Sequence, residues 1–168
     1  MKALFLVGFM GSGKSTVGKK LAKALSWDFF DLDEMIENLH HQTIPDLFKN
    51  LGEDHFREIE KETLRTLEKK PNPFVLATGG GTPCFYGNME WMKKTGYVLF
   101  LDTPAEELLK RLKGTESGRP VLKALDPEKF DEEMLILLGK RRPVYLQAPW
   151  ILGKNVQNID EVIHMLNS

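Results

Sequence analysis

"GFMGSGKST", Gly8 to Thr16, directly follows an apolar run, Ala3 to Val7. The short run ends at a glycine, which predicts a buried strand. Val17, Leu21, Ala24 and Leu25 then recur at helical spacing, predicting a helix from about Lys14 to Ser26. Between the two, Gly8 to Ser15 fits G-x-x-x-x-G-K-S, the phosphate-binding loop. Its glycines let successive backbone N–H groups turn inward around an anion. The following helix adds its positive N-terminal end. Gly11, Ser12, Gly13, Lys14, Ser15 and Thr16 are therefore candidate ATP-binding residues. In such a loop the lysine, Lys14, reaches the β- and γ-phosphates, and Ser15 puts its hydroxyl on Mg²⁺. An accidental glycine turn is the alternative, and a strand before with a helix after argues against it.

The rest of the chain bounds what surrounds this loop. Its 168 residues fit one domain, able to bury roughly two thirds of its unfolded surface without staples. The single cysteine, Cys84, cannot form an internal disulfide, which fits a reducing, cytoplasmic setting. The apolar start, Ala3 to Val7, is too short for a secretion signal or a membrane span. The formal net charge of −1 carries no field that would draw nucleic acid. Basic residues cluster locally at Lys110 to Lys123 and Lys140 to Arg142; each is either a solvated face or an anion contact.

Further strands are expected at Phe29 to Asp33, Phe74 to Ala77, Tyr97 to Leu101 and Trp150 to Leu152. Met35, Ile36 and Leu39 suggest a helix, and Thr43 with Asp46 looks like the capped start of another. A long charged helix is expected from about Glu53 to Lys70. Helices are also expected at Pro104 to Lys113, from Asp126-Pro127 to about Leu138, and at Ile159 to Leu166. Gly114 to Leu125 reads as a mobile loop. Apolar strands alternating with helices predict an α/β fold, a parallel sheet covered on both faces. Ligands of such sheets bind at the carboxyl ends of strands. The glycine loop, the Asp31/Asp33 pair and Gly79 to Gly81 all follow strands, so three unusual segments converge on one sheet edge.

Two acids beside a phosphate loop suit a metal and a substrate hydroxyl, although Asp33 could instead cap the next helix. In "FREIE", Phe56 to Glu60, Arg57 and Glu60 are three apart. They either pair as a helix-face salt bridge, or Arg57 binds an anionic substrate while Glu60 orients it. "TGGG", Thr78 to Gly81, either lets backbone approach a ligand closely or is a flexible turn.

Taken in order, Gly8 to Thr16, Asp31-Leu32-Asp33, Phe56 to Glu60, Gly79-Gly80-Gly81, Arg119-Pro120 and Arg141-Arg142-Pro143-Val144-Tyr145 resemble the shikimate kinase family over nearly the whole chain. The loop alone is generic; the combination is specific. The resemblance implies a three-layer P-loop kinase fold like that of nucleoside monophosphate kinases, with a five-stranded parallel sheet of order 2-3-1-4-5. It implies a monomer with a substrate-binding segment at about 33–61 and a lid at about 112–125. It also implies ATP- and Mg²⁺-dependent phosphorylation of the 3-hydroxyl of shikimate, on the way to chorismate and the aromatic amino acids.

Carried over residue by residue, Arg57 and Arg141 clamp the shikimate carboxylate, with guanidinium geometry suited to it. Gly79, Gly80 and Gly81 line the acceptor, Gly80 with a backbone donor. Asp33 binds ring hydroxyls and takes the proton of the attacking one. Asp31 acts on Mg²⁺, Arg119 closes over the phosphates, and Arg111 lies against adenine.

The chain departs from the family pattern at His41, which stands where glycine is usual, and at Val121, where leucine is commoner. The segment Gly153 to Ile159 carries no assignable adenine contact, and Arg142 beside Arg141 leaves the carboxylate partner open. Trp27, Trp91 and Trp150 read as packing. Gluconate kinases and nucleoside monophosphate kinases share the loop and lid, but the Asp33, Arg57, Gly80 and Arg141 set argues against them. A nucleotide-binding regulatory module without transfer is disfavoured by the intact Lys14, Ser15, Asp31, Asp33 and Arg119 set.

Overall fold

Every residue of the opening apolar run Ala3–Val7, strand β1, is buried. Successive side chains of a strand alternate between faces. Ala3, Phe5 and Val7 accordingly join one apolar cluster, and Leu4 and Leu6 join another. The strand is thus the centre of a sheet packed on both sides. The structure, a computed structural model, describes residues 2–153 and 159–167.

After β1 come helix α1 (Lys14–Leu25), β2 (Asp28–Asp31), α2 (Leu32–His40) and α3 (Ile44–Thr66). These are followed by β3 (Phe74–Ala77), α4 (Asn88–Thr95), β4 (Tyr97–Leu101) and α5 (Ala105–Leu112). The chain closes with α6 (Pro120–Lys123), α7 (Phe130–Tyr145), β5 (Trp150–Leu152) and α8 (Ile159–Asn167). The sheet has five strands in the order β2-β3-β1-β4-β5, all paired in parallel. This is the expected 2-3-1-4-5 order. Its register aligns Leu6 with Ala77 and Ala77 with Asp31. The glycine loop, Asp31 and the glycine run after β3 therefore emerge side by side at one sheet edge.

Several elements differ from the sequence reading, each for a local reason. The strand leading to Asp33 stops at Asp31, and Asp33 lies in the first turn of α2. The cap of that helix is Asp31, not Asp33: its carboxylate accepts from the N–H groups of Asp33 and Glu34. The helix expected from Glu53 is the second half of α3, set off from the Thr43-capped first half by Gly52 at φ 78° and ψ 169°. Its end tightens into a 3₁₀ turn, Leu67–Lys69.

The segment read as a loop, Gly114 to Leu125, contains a 3₁₀ turn at Glu116–Gly118 and the short α6. Pro120 favours a helix start, and Leu122 anchors the turn in the core at 1% exposure. Helix α7 runs on past Leu138 because Arg141 and Tyr145, one turn apart, both bury their side chains inward. Pro143 sits on its exposed side. Helix α4 has no counterpart in the sequence reading, because its inward face is only Asn88, Met89 and Met92.

His41 ends α2 in the left-handed region at φ 52°, the conformation that makes glycine usual there. Trp150 stacks on Tyr97 at 4.9 Å and Trp91 packs edge-on against Phe5. Trp27 lies against the cluster around Leu4 and Leu6. Cys84 is a free thiol. No helix among the described residues is long and apolar enough to cross a membrane. The adenine-side segment Gly153 to Ile159 has residues 154–158 outside the described residues.

Candidate active site

The loop after β1 depends on glycine at Gly11 and Gly13, whose φ values are 76° and 93°. Side-chain-bearing residues rarely adopt these angles. Gly13 precedes α1, and no side chain caps that helix. Its first N–H groups are left for an anion. The buried Ser12 hydroxyl in the same turn has no hydrogen-bond partner among the described residues. The Lys14 Nζ donates to the carbonyls of Gly8 and Phe9, at 2.9 Å each. Burial lowers its pKa to about 8, against the opposing pull of Asp33 and Asp31. Lys14 thus remains mostly charged near neutral pH.

Asp31 links loop and sheet. One carboxylate oxygen caps α2; the other accepts from the Ser15 hydroxyl at 2.5 Å. Asp33 is carried one turn into α2 and lies open to the cleft. The recess raises its pKa to about 6, burial first and then the charges of Glu60 and Asp31. Arg111 stands on the outer side of the loop, its Nη1 donating to the Gly11 carbonyl at 2.9 Å.

Two cavities meet here. One, of about 280 Å³, is floored by Gly11, Gly13, Lys14, Ser15 and Thr16, with Asp31 at its edge. The other, of about 220 Å³, is walled by Ile44, Phe48, Phe56, Arg57, Glu60 and Arg141. Met10, Asp33, Gly79, Gly80 and Arg119 line both.

The second cavity is built around a buried guanidinium. Arg57 Nη1 donates to Glu60 at 2.6 Å, while its Nε and Nη2 donate to Glu53 at 3.2 and 3.0 Å. Burial opposes the charge, but Glu60 and Glu53 outweigh it and push the pKa up. The other Glu60 oxygen accepts from the Thr82 hydroxyl at 2.7 Å. The ring of Phe85 lies 4.5 Å from the guanidinium carbon, close enough for a cation–π contact.

The glycine run is explained by these neighbours, since none of its φ values is positive. A Cβ on Gly81 would sit 2.6 Å from the Arg57 guanidinium, and one on Gly79 would sit 2.7 Å from the Glu60 carboxylate. The close approach expected at this run is made by the protein's own charged side chains.

The structure also separates Arg141 from Arg142. Arg141 is 7% exposed and faces the second cavity. Arg142 points outward and pairs with Asp102 at 2.6 Å. Arg119 sits just before α6 on the shared wall and forms no ion pair among the described residues. The candidates therefore assemble, apart from the buried Ser12 hydroxyl and from Arg111 on the loop's outer side. The sequence reading missed Glu53, Thr82 and the role of Tyr145. Glu53 had a signal, its spacing four residues before Arg57; Thr82 had none, lying 22 residues from Glu60.

Comparisons with known proteins give the family. The sequence pattern of shikimate kinase matches residues 10–167. The shikimate kinase of Bacteroides thetaiotaomicron is 37% identical over 98% of this chain and all of that protein. That of Parabacteroides distasonis is 43% identical over 88% of this chain and 85% of its own. The crystal structure of the Bacteroides thetaiotaomicron enzyme superposes with a TM-score of 0.88, covering 99% of this chain and 98% of that one at 36% identity. Shikimate kinase from Acinetobacter baumannii in complex with shikimate gives 0.89, covering 98% and 92% at 34% identity. The chain belongs to the shikimate kinase family.

Proposed function

We propose that the two cavities are the two halves of one phosphoryl-transfer site, with ATP on the loop side and shikimate on the arginine side. The chain transfers the γ-phosphoryl group of ATP to shikimate, giving shikimate 3-phosphate and ADP in the route to chorismate and the aromatic amino acids. The observation that carries the residue assignment is the shared wall, where Asp33 and Arg119 border both cavities.

Arg57 has five N–H donors. Three are engaged by Glu53 and Glu60, so one on each Nη remains, an end-on pair suited to a carboxylate. Arg141 supplies the second guanidinium and Gly80 a backbone donor, with Gly79 and Gly81 completing that wall. Phe48 and Phe56 offer the ring an apolar side. At the opposite end of the acceptor, Asp33 accepts the proton of the attacking hydroxyl. A carboxylate with a pKa of about 6 is ionised at neutral pH and more basic than an ordinary one. The hydroxyl oxygen bonds to the γ-phosphorus as the bond to the β–γ bridging oxygen breaks, and ADP leaves.

Gly11, Ser12, Gly13 and Thr16 cradle the phosphates. Lys14 and Arg119 neutralise the charge that develops. Arg111 lies against adenine. Ser15 and Asp31 fit Mg²⁺: both offer hard oxygens, already 2.5 Å apart beside the phosphate cavity. Bound there, Mg²⁺ supplies charge neutralisation on phosphate oxygens.

In this reading one domain carries an acceptor segment at about 33–61 and a lid at about 112–125 that closes over both ligands. The protein works as a monomer in the cytoplasm, without nucleic acid or membrane. A panel of shikimate, gluconate and AMP, followed by ADP release, tests the acceptor assignment. Shikimate should stimulate strongly; greater stimulation by gluconate or AMP would overturn it.

A further inference from the structure

Tyr145 is the last residue of α7 and is wholly buried. A buried phenol finds a partner for its O–H. Here the partner is the main chain of the glycine run: Tyr145 donates to the Gly80 carbonyl at 2.5 Å, across 65 residues of sequence. The neighbouring carbonyls are held differently. Gly79 accepts from the Thr82 N–H at 3.2 Å and Gly81 from the Cys84 N–H at 2.9 Å, both within the local turn. Gly80 alone of the three is fixed from another element.

That element is the one that carries Arg141. Arg141 lies four residues before Tyr145, one turn along the same inward face. Its Nη1 stands 3.6 Å from the point where a Gly80 Cβ would be. Helix α7 therefore meets Gly80 twice, with a guanidinium over its Cα and a phenol on its carbonyl. The Tyr145 ring is itself fixed against Phe100 of β4, with ring centroids 5.3 Å apart.

We propose that Tyr145 is a positioning residue for acceptor binding: its phenol locks the Gly80–Gly81 peptide against α7, so that the Gly80 backbone and the Arg141 guanidinium keep one fixed spacing. This rests on the assignment of Gly80 and Arg141 to shikimate made above. Gly80 carries no side chain to restrain its own backbone. Without the phenol, its peptide is free to rotate, and each binding event must order it again. Tyr145 itself lines neither cavity, and Lys14 is fastened independently by the Gly8 and Phe9 carbonyls, so the larger effect is expected on the acceptor side.

The test is steady-state kinetics and thermal unfolding of Tyr145→Phe, beside Arg141→Lys and the double variant. Phenylalanine keeps the ring packing on Phe100 and removes the buried hydrogen bond to Gly80 together with the phenol's contact to Arg141, a loss worth about three- to tenfold in affinity when it orders a binding group. The expected result is a rise of that size in KM for shikimate, with kcat and KM for ATP within about twofold. The double variant should lose less than the product of the two single losses, because both act on one spacing. A lowered Tm with unchanged KM for shikimate would make Tyr145 merely structural and overturn the inference. Equal rises in both KM values would overturn it too. If Tyr145→Phe does not fold, additivity is tested with Tyr145→His in the same pair, and full additivity contradicts the proposal. An unchanged KM for shikimate in Arg141→Lys would instead remove Arg141 from the acceptor site, and the inference with it.

Discussion

Arg57 and Glu60 meet at 2.6 Å across one turn of α3, with side chains only 4% and 2% exposed. The helix-face salt bridge and the proposed acid clamp therefore share the same guanidinium. Removing one partner of a buried pair leaves the other charge unpaired, at about 3–5 kcal/mol.

For that reason Arg57→Ala should lose both stability and shikimate binding, while Arg57→Lys separates the two. Lysine keeps the charge beside Glu60 but cannot present a fork to the ligand. Calorimetry on Arg57→Lys should show shikimate affinity down at least about tenfold, a cautious bound below the cost of a lost charge pair, with ATP affinity within about twofold. Equal losses for both ligands would make Arg57 a purely structural group.

Asp33 gives the site a pH signature. Its pKa is raised from 3.8 to about 6, by burial first and by Glu60 and Asp31 next. The rate constant kcat/KM for shikimate should fall on the acid side with a midpoint near 6, and reach its plateau above it. The stability consequence has the opposite sense. The folded protein takes up a proton that the unfolded chain does not hold between about pH 4 and pH 6, so stability falls as pH rises through that window. Asp33→Asn should abolish turnover yet raise Tm at pH 7 and not at pH 4. Water in the cleft screens the carboxylate, which keeps the gain small. A Tm gain equal at both pH values would contradict the assignment.

Arg119 has no acidic partner among the described residues, and Pro120 after it holds its backbone extended at φ −134°. The neighbouring Leu122, not Arg119, anchors this segment in the core. Arg119→Ala should lower kcat by at least about 10²-fold, a conservative reading of the 10³–10⁵ range for such arginines. Thermal stability should barely change. Near-normal turnover in a folded variant would leave Lys14 as the only side chain neutralising the transferring group.

At His41 the expected change is in stability alone. Its left-handed φ of 52° costs about 1–2 kcal/mol for a residue with a side chain, part of which glycine gives back as chain entropy. His41→Gly should therefore stabilise by up to about 1 kcal/mol in urea unfolding, with kinetics unchanged. A loss of stability would mean that His41 makes a contact worth more than its strain.

These contrasts also mark what the sequence could reveal. Ala3–Val7, Phe74–Ala77 and Tyr97–Leu101 were legible to the residue because buried parallel strands are apolar throughout and stop at a sharp change of composition. The positive φ at position 41 was legible as a departure from glycine. Asp31 and Asp33 were legible as a pair but not in role, because either could stand just before the next helix and cap it. Helix α6 was hidden because one buried leucine in four residues makes no periodic pattern. The grip of Tyr145 on Gly80 was invisible for a simpler reason: only the folded sheet brings residues 65 apart together.

Transfer is proposed to take place at the wall that the two cavities share. A crystal structure of the protein with ADP, Mg²⁺ and shikimate tests it most directly. The account predicts the shikimate carboxylate on Arg57 and Arg141, and its 3-hydroxyl about 3 Å from the Asp33 carboxylate, within general-base reach, facing the phosphates over Lys14. A carboxylate bound toward Lys14, or a 3-hydroxyl turned away from Asp33, would contradict it.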